Sequence, residues 1–151
     1  MRDILPHNAT LNYMSSESIR IDAKTLHDLR ERSARSGEPL ARLAQRYIDE
    51  GMRLDSHPGI IFRTGPAGRR AVVVGGPGVW EVIVAARTAN ERGEARITAL
   101  AERIGMSPEK VRSALRYYAE YPDEVDHHIE TVERETARLE QALGREQRHN
   151  E

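Results

Sequence analysis

Three groups of residues bring together side chains that could do chemistry. His127-His128 stands beside Asp123, Glu124 and Asp126, donors that a divalent metal accepts. Neighbouring residues on a helix point about 100° apart, and no second ligand cluster lies near them in sequence, so a solvated polar face is the better reading. Gly75-Gly76-Pro77-Gly78 has the glycine content of a phosphate loop. It lacks the Gly-Lys-Ser/Thr ending and the parallel βαβ setting, which leaves turn glycines. The third group is Lys110, Arg112 and Arg116, spaced along one candidate helix. Cations on the second helix of a helix-turn-helix reach DNA, although many such units are only packing modules. No Ser/His/Asp or paired-carboxylate constellation stands out and cysteine is absent, so an enzyme is not expected, nor any metal or cofactor.

The elements that position the third group are legible. Ile97, Leu100, Ala101 and Ile104 give a short amphipathic helix over 97–104, and Gly105-Met106-Ser107 turns the chain. Ser107-Pro108-Glu109 then opens a second helix with a capping serine and a first-turn proline. Its inner face is Val111, Ala114, Leu115 and Tyr118. Upstream, Ile60-Ile61-Phe62-Arg63 and Arg70-Ala71-Val72-Val73-Val74 predict a hairpin around residues 64–69, and 79–86 a buried helix. Residues 55–59, Asp-Ser-His-Pro-Gly, have the composition of a linker.

The N-terminal third is the best-defined stretch. Residues 17–22, Glu-Ser-Ile-Arg-Ile-Asp, alternate polar and apolar, the period of a strand with one buried face. Asp22 is suited to cap a helix over Ala23–Ser36, with Leu26, Leu29 and Ala34 at roughly helical spacing. Gly37 ends it, Glu38-Pro39 restarts the chain, and Leu40, Leu43, Ala44, Tyr47, Ile48 and Met52 line one side of a second helix. A single strand has no partner for its backbone polar groups, so pairing with its own copy in a dimer is the economical solution.

This strand–helix–glycine turn–helix order resembles the ribbon-helix-helix family of DNA-binding repressors, which includes the Arc and MetJ repressors and many antitoxins of type II toxin–antitoxin pairs. The resemblance covers about a quarter of the chain. It implies a dimer whose paired strands enter the major groove of promoter DNA, with Ser18 and Arg20 reading bases. It also implies that the turn at Gly37 and Pro39 clamps a phosphate through helix-terminal N–H groups. Further along, His57-Pro58-Gly59-Ile60, the hairpin and Ala114-Leu115-Arg116-Tyr117-Tyr118-Ala119 resemble a small winged-helix family found beside PIN-like nuclease toxins. That family's Gly-Gly-Lys-Pro and Gly-Thr-Arg stretches are echoed here only by Gly75-Gly76-Pro77 and Arg69-Arg70.

Charge is unevenly spread. Of 24 acids and 23 bases, nine acids and four arginines lie in residues 122–151, which leaves 15 acids and 19 bases for residues 1–121. A basic body and an acidic tail fit DNA at one end and a different partner at the other. In the tail, Val125, Ile129, Val132, Thr136, Leu139 and Leu143 recur at spacings of four and three, and Gly144 is placed to end the helix. Such a stripe folds back on its own domain, forms a dimer coiled coil, or lies along a groove of a partner protein.

The expectation is therefore a mainly α protein with short β elements. A flexible arm (1–14) leads into a ribbon-helix-helix (15–54), a winged helix-turn-helix-like unit (55–121) and an acidic amphipathic helix (122–151). Its expected function is that of a cytoplasmic homodimeric antitoxin. It would repress its own operon by binding double-stranded promoter DNA and hold a protein toxin, a PIN-like ribonuclease, through Val125, Ile129, Val132, Leu139 and Leu143. The alternatives are a DNA-binding regulator without a toxin, its tail serving oligomerisation, and an interaction protein that does not touch DNA. No stretch predicts a membrane span or a signal peptide.

Overall fold

Asp22 sets the first helix. Its carboxylate accepts the Thr25 amide at 2.9 Å and the Thr25 hydroxyl at 2.6 Å, satisfying one of the amides that a helix N-terminus leaves open. In the computed structural model, which describes residues 18–149, α1 (Ala23–Ser36) follows this cap. Gly37 closes it at φ 72°, a left-handed conformation that carries its N–H back to the Ser33 carbonyl. Then α2 (Leu40–Ser56) begins. The arm at 1–14 and the first residue of the expected strand, Glu17, lie outside the described residues.

Beyond α2 come β1 (Ile60–Gly65), β2 (Gly68–Val73), α3 (Val79–Arg87), α4 (Gly93–Ile104), α5 (Pro108–Glu120) and α6 (Pro122–His149). The protein is thus mainly helical, with one two-stranded antiparallel sheet among the described residues. The chain divides into two units, Met1–Ala44 and Gln45–Glu151.

In the first unit, Ser18 to Asp22 are exposed and outside any strand, and α1 buries no residue fully. The strand expected there finds no partner among the described residues. Leu43 of α2 is buried.

The second unit has the core. Ile60 and Val73 from the hairpin, Val82 and Ile83 from α3, Leu100 from α4, and Val111, Ala114 and Tyr117 from α5 form one cluster. Each fully buried aliphatic side chain contributes roughly 1.5–3 kcal/mol. The hairpin pairs Ile60 with Val73 through to Gly65 with Gly68. Its turn is therefore only Pro66 and Ala67, tighter than the loop expected over 64–69. Proline at the second turn position and glycine at the fourth favour this turn.

Residues 55–59, expected as a linker, are structured. Helix α2 runs through Ser56, and His57 is buried. The Gly75–Gly78 stretch folds back on β2: the Gly76 amide donates to the Val73 carbonyl at 2.9 Å, and the Gly78 amide to Glu81 Oε1 at 2.9 Å. Both amides are thus used within the turn itself. No described helix is long and apolar enough to cross a membrane.

Candidate nucleic-acid interface

In the N-terminal unit, the extended lead into α1 presents Ser18 and Arg20 to solvent, and Arg20 holds no ion pair among the described residues. Ile19, between them, is 77% exposed, and Ile21 is 48% exposed. The turn after α1 is firmly built: Ser33 Oγ donates to the Glu38 carbonyl at 2.7 Å, and the Glu38 amide donates to Ser36 Oγ at 3.2 Å. Pro39 brings no N–H, and its carbonyl accepts the Leu43 amide. Helix α2 carries no acid in its first turn, and a helix N-terminus of that kind favours an anion. The Asp22 carboxyl, held by Thr25, is kept below its ordinary pKa and is occupied as a cap.

In the second unit, α4 and α5 follow one another through a turn at Gly105. Gly105 has φ 73° and returns its N–H to Ala101, while the Ser107 hydroxyl accepts the Lys110 amide. Helix α4 begins at Gly93, earlier than the expected 97. The three cations of α5 part company. Arg112 is clamped by Glu109 at 2.7 Å and by Glu94 of α4, and these carboxylates raise its pKa. Its first use is to tie α5 to α4. Lys110 and Arg116 hold no ion pair among the described residues; Arg116 borders a cleft with His57, Ser113 and Glu120.

The tail stripe divides. Val125 and Ile129 are 4% and 3% exposed and belong to the core of their own unit, which corrects the expectation that both face a partner. Val132 is half-buried, whereas Leu139 and Leu143 are 67% and 61% exposed. Gly144 does not end the helix; α6 passes through it to His149.

Sequence reasoning missed two polar clusters. His57 Nε2 lies 2.7 Å from Glu120 Oε2, its ring edge-on to Tyr117 and Tyr121. Tyr121 and His57 together hold the Glu120 carboxyl below its ordinary pKa. Arg53, Tyr117 and Glu124 form the other, joining α2, α5 and α6. No local signal marks either; only the tertiary fold brings these residues together. Among the described residues no three His, Cys, Asp or Glu side chains converge as metal ligands. His127 is exposed, and His128 is half-buried with its ring centroid 5.8 Å from that of Trp80.

No family model matches the chain, and neither a curated protein nor a solved structure shows significant similarity to it.

Proposed function

We propose that this chain is a homodimeric DNA-binding antitoxin, a repressor of its own operon that also holds a toxic protein partner. The observation that carries the DNA half is the segment ahead of α1. Ile19 and Ile21 are exposed on a backbone that pairs with no strand among the described residues, and they alternate with exposed Ser18 and Arg20. Pairing that segment antiparallel with its copy satisfies the backbone, buries the isoleucines and sets both arginines on one face, where each reaches a guanine edge. Ile48 and Met52, one turn apart on α2 and each more than half exposed, supply further apolar surface for the same dimer. Of the three α5 cations, Lys110 and Arg116 hold no ion pair among the described residues and are available to phosphates.

The toxin half rests on the resemblance to antitoxins and on the exposed outer part of α6, where Leu139 and Leu143 lie in an acidic helix. The burial of Val125 and Ile129 favours a second reading. With Val125 and Ile129 spent on the chain's own core, the remainder suffices for self-association, and the protein is then a regulator without a toxin.

Co-expression separates them. The product of the adjacent reading frame is made alone and with this protein, following growth and co-purification, and promoter DNA is titrated at several salt concentrations. A toxic neighbour rescued in a stable complex, with DNA affinity that falls steeply with salt, supports the proposal. A harmless neighbour with intact DNA binding leaves the regulator, and absence of DNA binding overturns both.

A further inference from the structure

A groove runs along the second unit between the hairpin and α6. Its two lobes hold about 250 and 230 Å³ and share Ala67, Arg70, Trp80 and His128. The inner lobe ends on Val79 and Val125, and the outer one opens past Val132 to Leu139. Each is smaller than the roughly 300–1,000 Å³ of ordinary small-molecule pockets. Each is the size of a large side chain, and together they form a two-pocket track for a chain segment.

The two arginines of this groove are not equally paired. Arg69 is bidentate to Glu50, at 2.6 Å through Nη2 and also through Nε. Its neighbour Arg70 is half-buried yet has no carboxylate partner among the described residues. Room for it is made by Gly65: any Cβ there would collide with the Arg70 guanidinium. Glu124, on the inner lobe, is taken by Arg53 and Tyr117. Glu135 lines the outer lobe and disfavours a second acid there. His128 is held toward its neutral form by burial and by Arg70, so Arg70 is the cation an incoming group meets. A half-buried guanidinium gains most from one desolvated, bidentate carboxylate.

We propose that this groove docks a segment of a partner protein bearing one carboxylate between large apolar side chains, with the carboxylate on Arg70 and the apolar groups against Trp80 and Leu139. This rests on the reading that the chain holds a protein partner, and it assigns that partner's contact to the groove rather than to the α6 stripe as a whole.

Trp80 is the only tryptophan in the chain, so its emission reports on the groove in the full-length protein. The probes are the peptide Ac-Ser-Leu-Glu-Phe-Leu-Ser-NH2, its counterparts with Gln or Lys in place of Glu, and an eight-residue oligothymidylate. The acidic peptide is expected to shift the emission saturably and to bind at least tenfold more tightly than the Lys peptide. Arg70→Gln should erase that difference. Leu139→Glu, at a position 67% exposed, should weaken the acidic peptide. Silence with every peptide, equal response to all three, or discrimination surviving in Arg70→Gln overturns the proposal. An Arg70-dependent response to the oligonucleotide alone reassigns the groove to nucleic acid. A toxic neighbour that co-purifies equally with wild type and both variants removes the groove and leaves the antitoxin reading. If wild type holds no neighbour, that reading falls and the peptide titrations alone decide the groove.

Discussion

Arg53 Nη1 donates to the Tyr117 hydroxyl at 3.0 Å, and that hydroxyl donates in turn to Glu124 Oε1 at 2.6 Å. One buried phenol thus joins the end of α2 to α5 and to the first turn of α6. Burial and Glu124 raise the Tyr117 pKa well above the ordinary phenol value, so it remains a donor at any physiological pH. Tyr117→Phe keeps the ring in the core and the direct contact of Arg53 with Glu124. It removes hydrogen bonds to charged partners, at a cost of about 1–3 kcal/mol, read as a lower urea midpoint with an unchanged m-value. An unchanged midpoint would mean that the Arg53–Glu124 contact alone fastens α2.

Residues that act through local chemistry were legible in the sequence. The Asp22 cap, the left-handed Gly37 and the Ser107-Pro108 opening of α5 each depend on the few residues around them. What was not legible depends on neighbours distant in sequence. The heptad-like spacing of α6 gives the same pattern whether a position meets its own core or solvent; only α3 and α5, packed against it, separate Val125 and Ile129 from Leu139 and Leu143. Arg112 looked like a groove contact until Glu94 of α4 came within reach. Gly144 misled for a different reason: a helix-interior glycine costs only about 1 kcal/mol, and good helix formers flank it on both sides. His57, read as part of a linker, is buried because α5 supplies Glu120 and the aromatic wall beside it.

The two cationic groups predict opposite outcomes on DNA. Arg20→Ala should weaken binding to the promoter site by about 1–3 kcal/mol, roughly 5- to 150-fold, and relax sequence preference. Arg112→Ala should leave DNA affinity nearly unchanged, because its guanidinium is already held by Glu94 and Glu109. A gel-shift titration of both variants on operator and scrambled DNA checks this. The reverse order would move the reading face to α5.

Association is tested on α2. Ile48 and Met52 are exposed in the single chain, so Ile48→Lys with Met52→Lys should leave the thermal transition of the monomer intact. If this face belongs to the dimer, two buried ammonium groups are intolerable there, and sedimentation should show monomer at concentrations where wild type is dimeric. DNA affinity should fall with it, since each half-site needs both strands. A double variant that stays dimeric places the interface elsewhere.

His128 gives a pH signature. Burial against Trp80 and the charge of Arg70 lower its pKa below the ordinary 6.5, with His127 adding to the effect and Glu124 and Glu135 opposing it. Below pH 6.5 the unfolded chain takes up a proton there that the folded chain resists. The unfolded state then binds more protons, and stability declines as pH falls from 6.5 toward the folded pKa; above 6.5 the contribution is fully present. Glu120 and Asp22, whose carboxyl pKa values are lowered in the fold, add a separate loss at more acidic pH, starting where unfolded carboxylates protonate. Melting wild type and His128→Phe between pH 7.5 and 4.5 distinguishes the two. The variant should lose the decline just below pH 6.5 and keep the acidic one, whereas parallel curves would show that His128 charges freely in the folded groove.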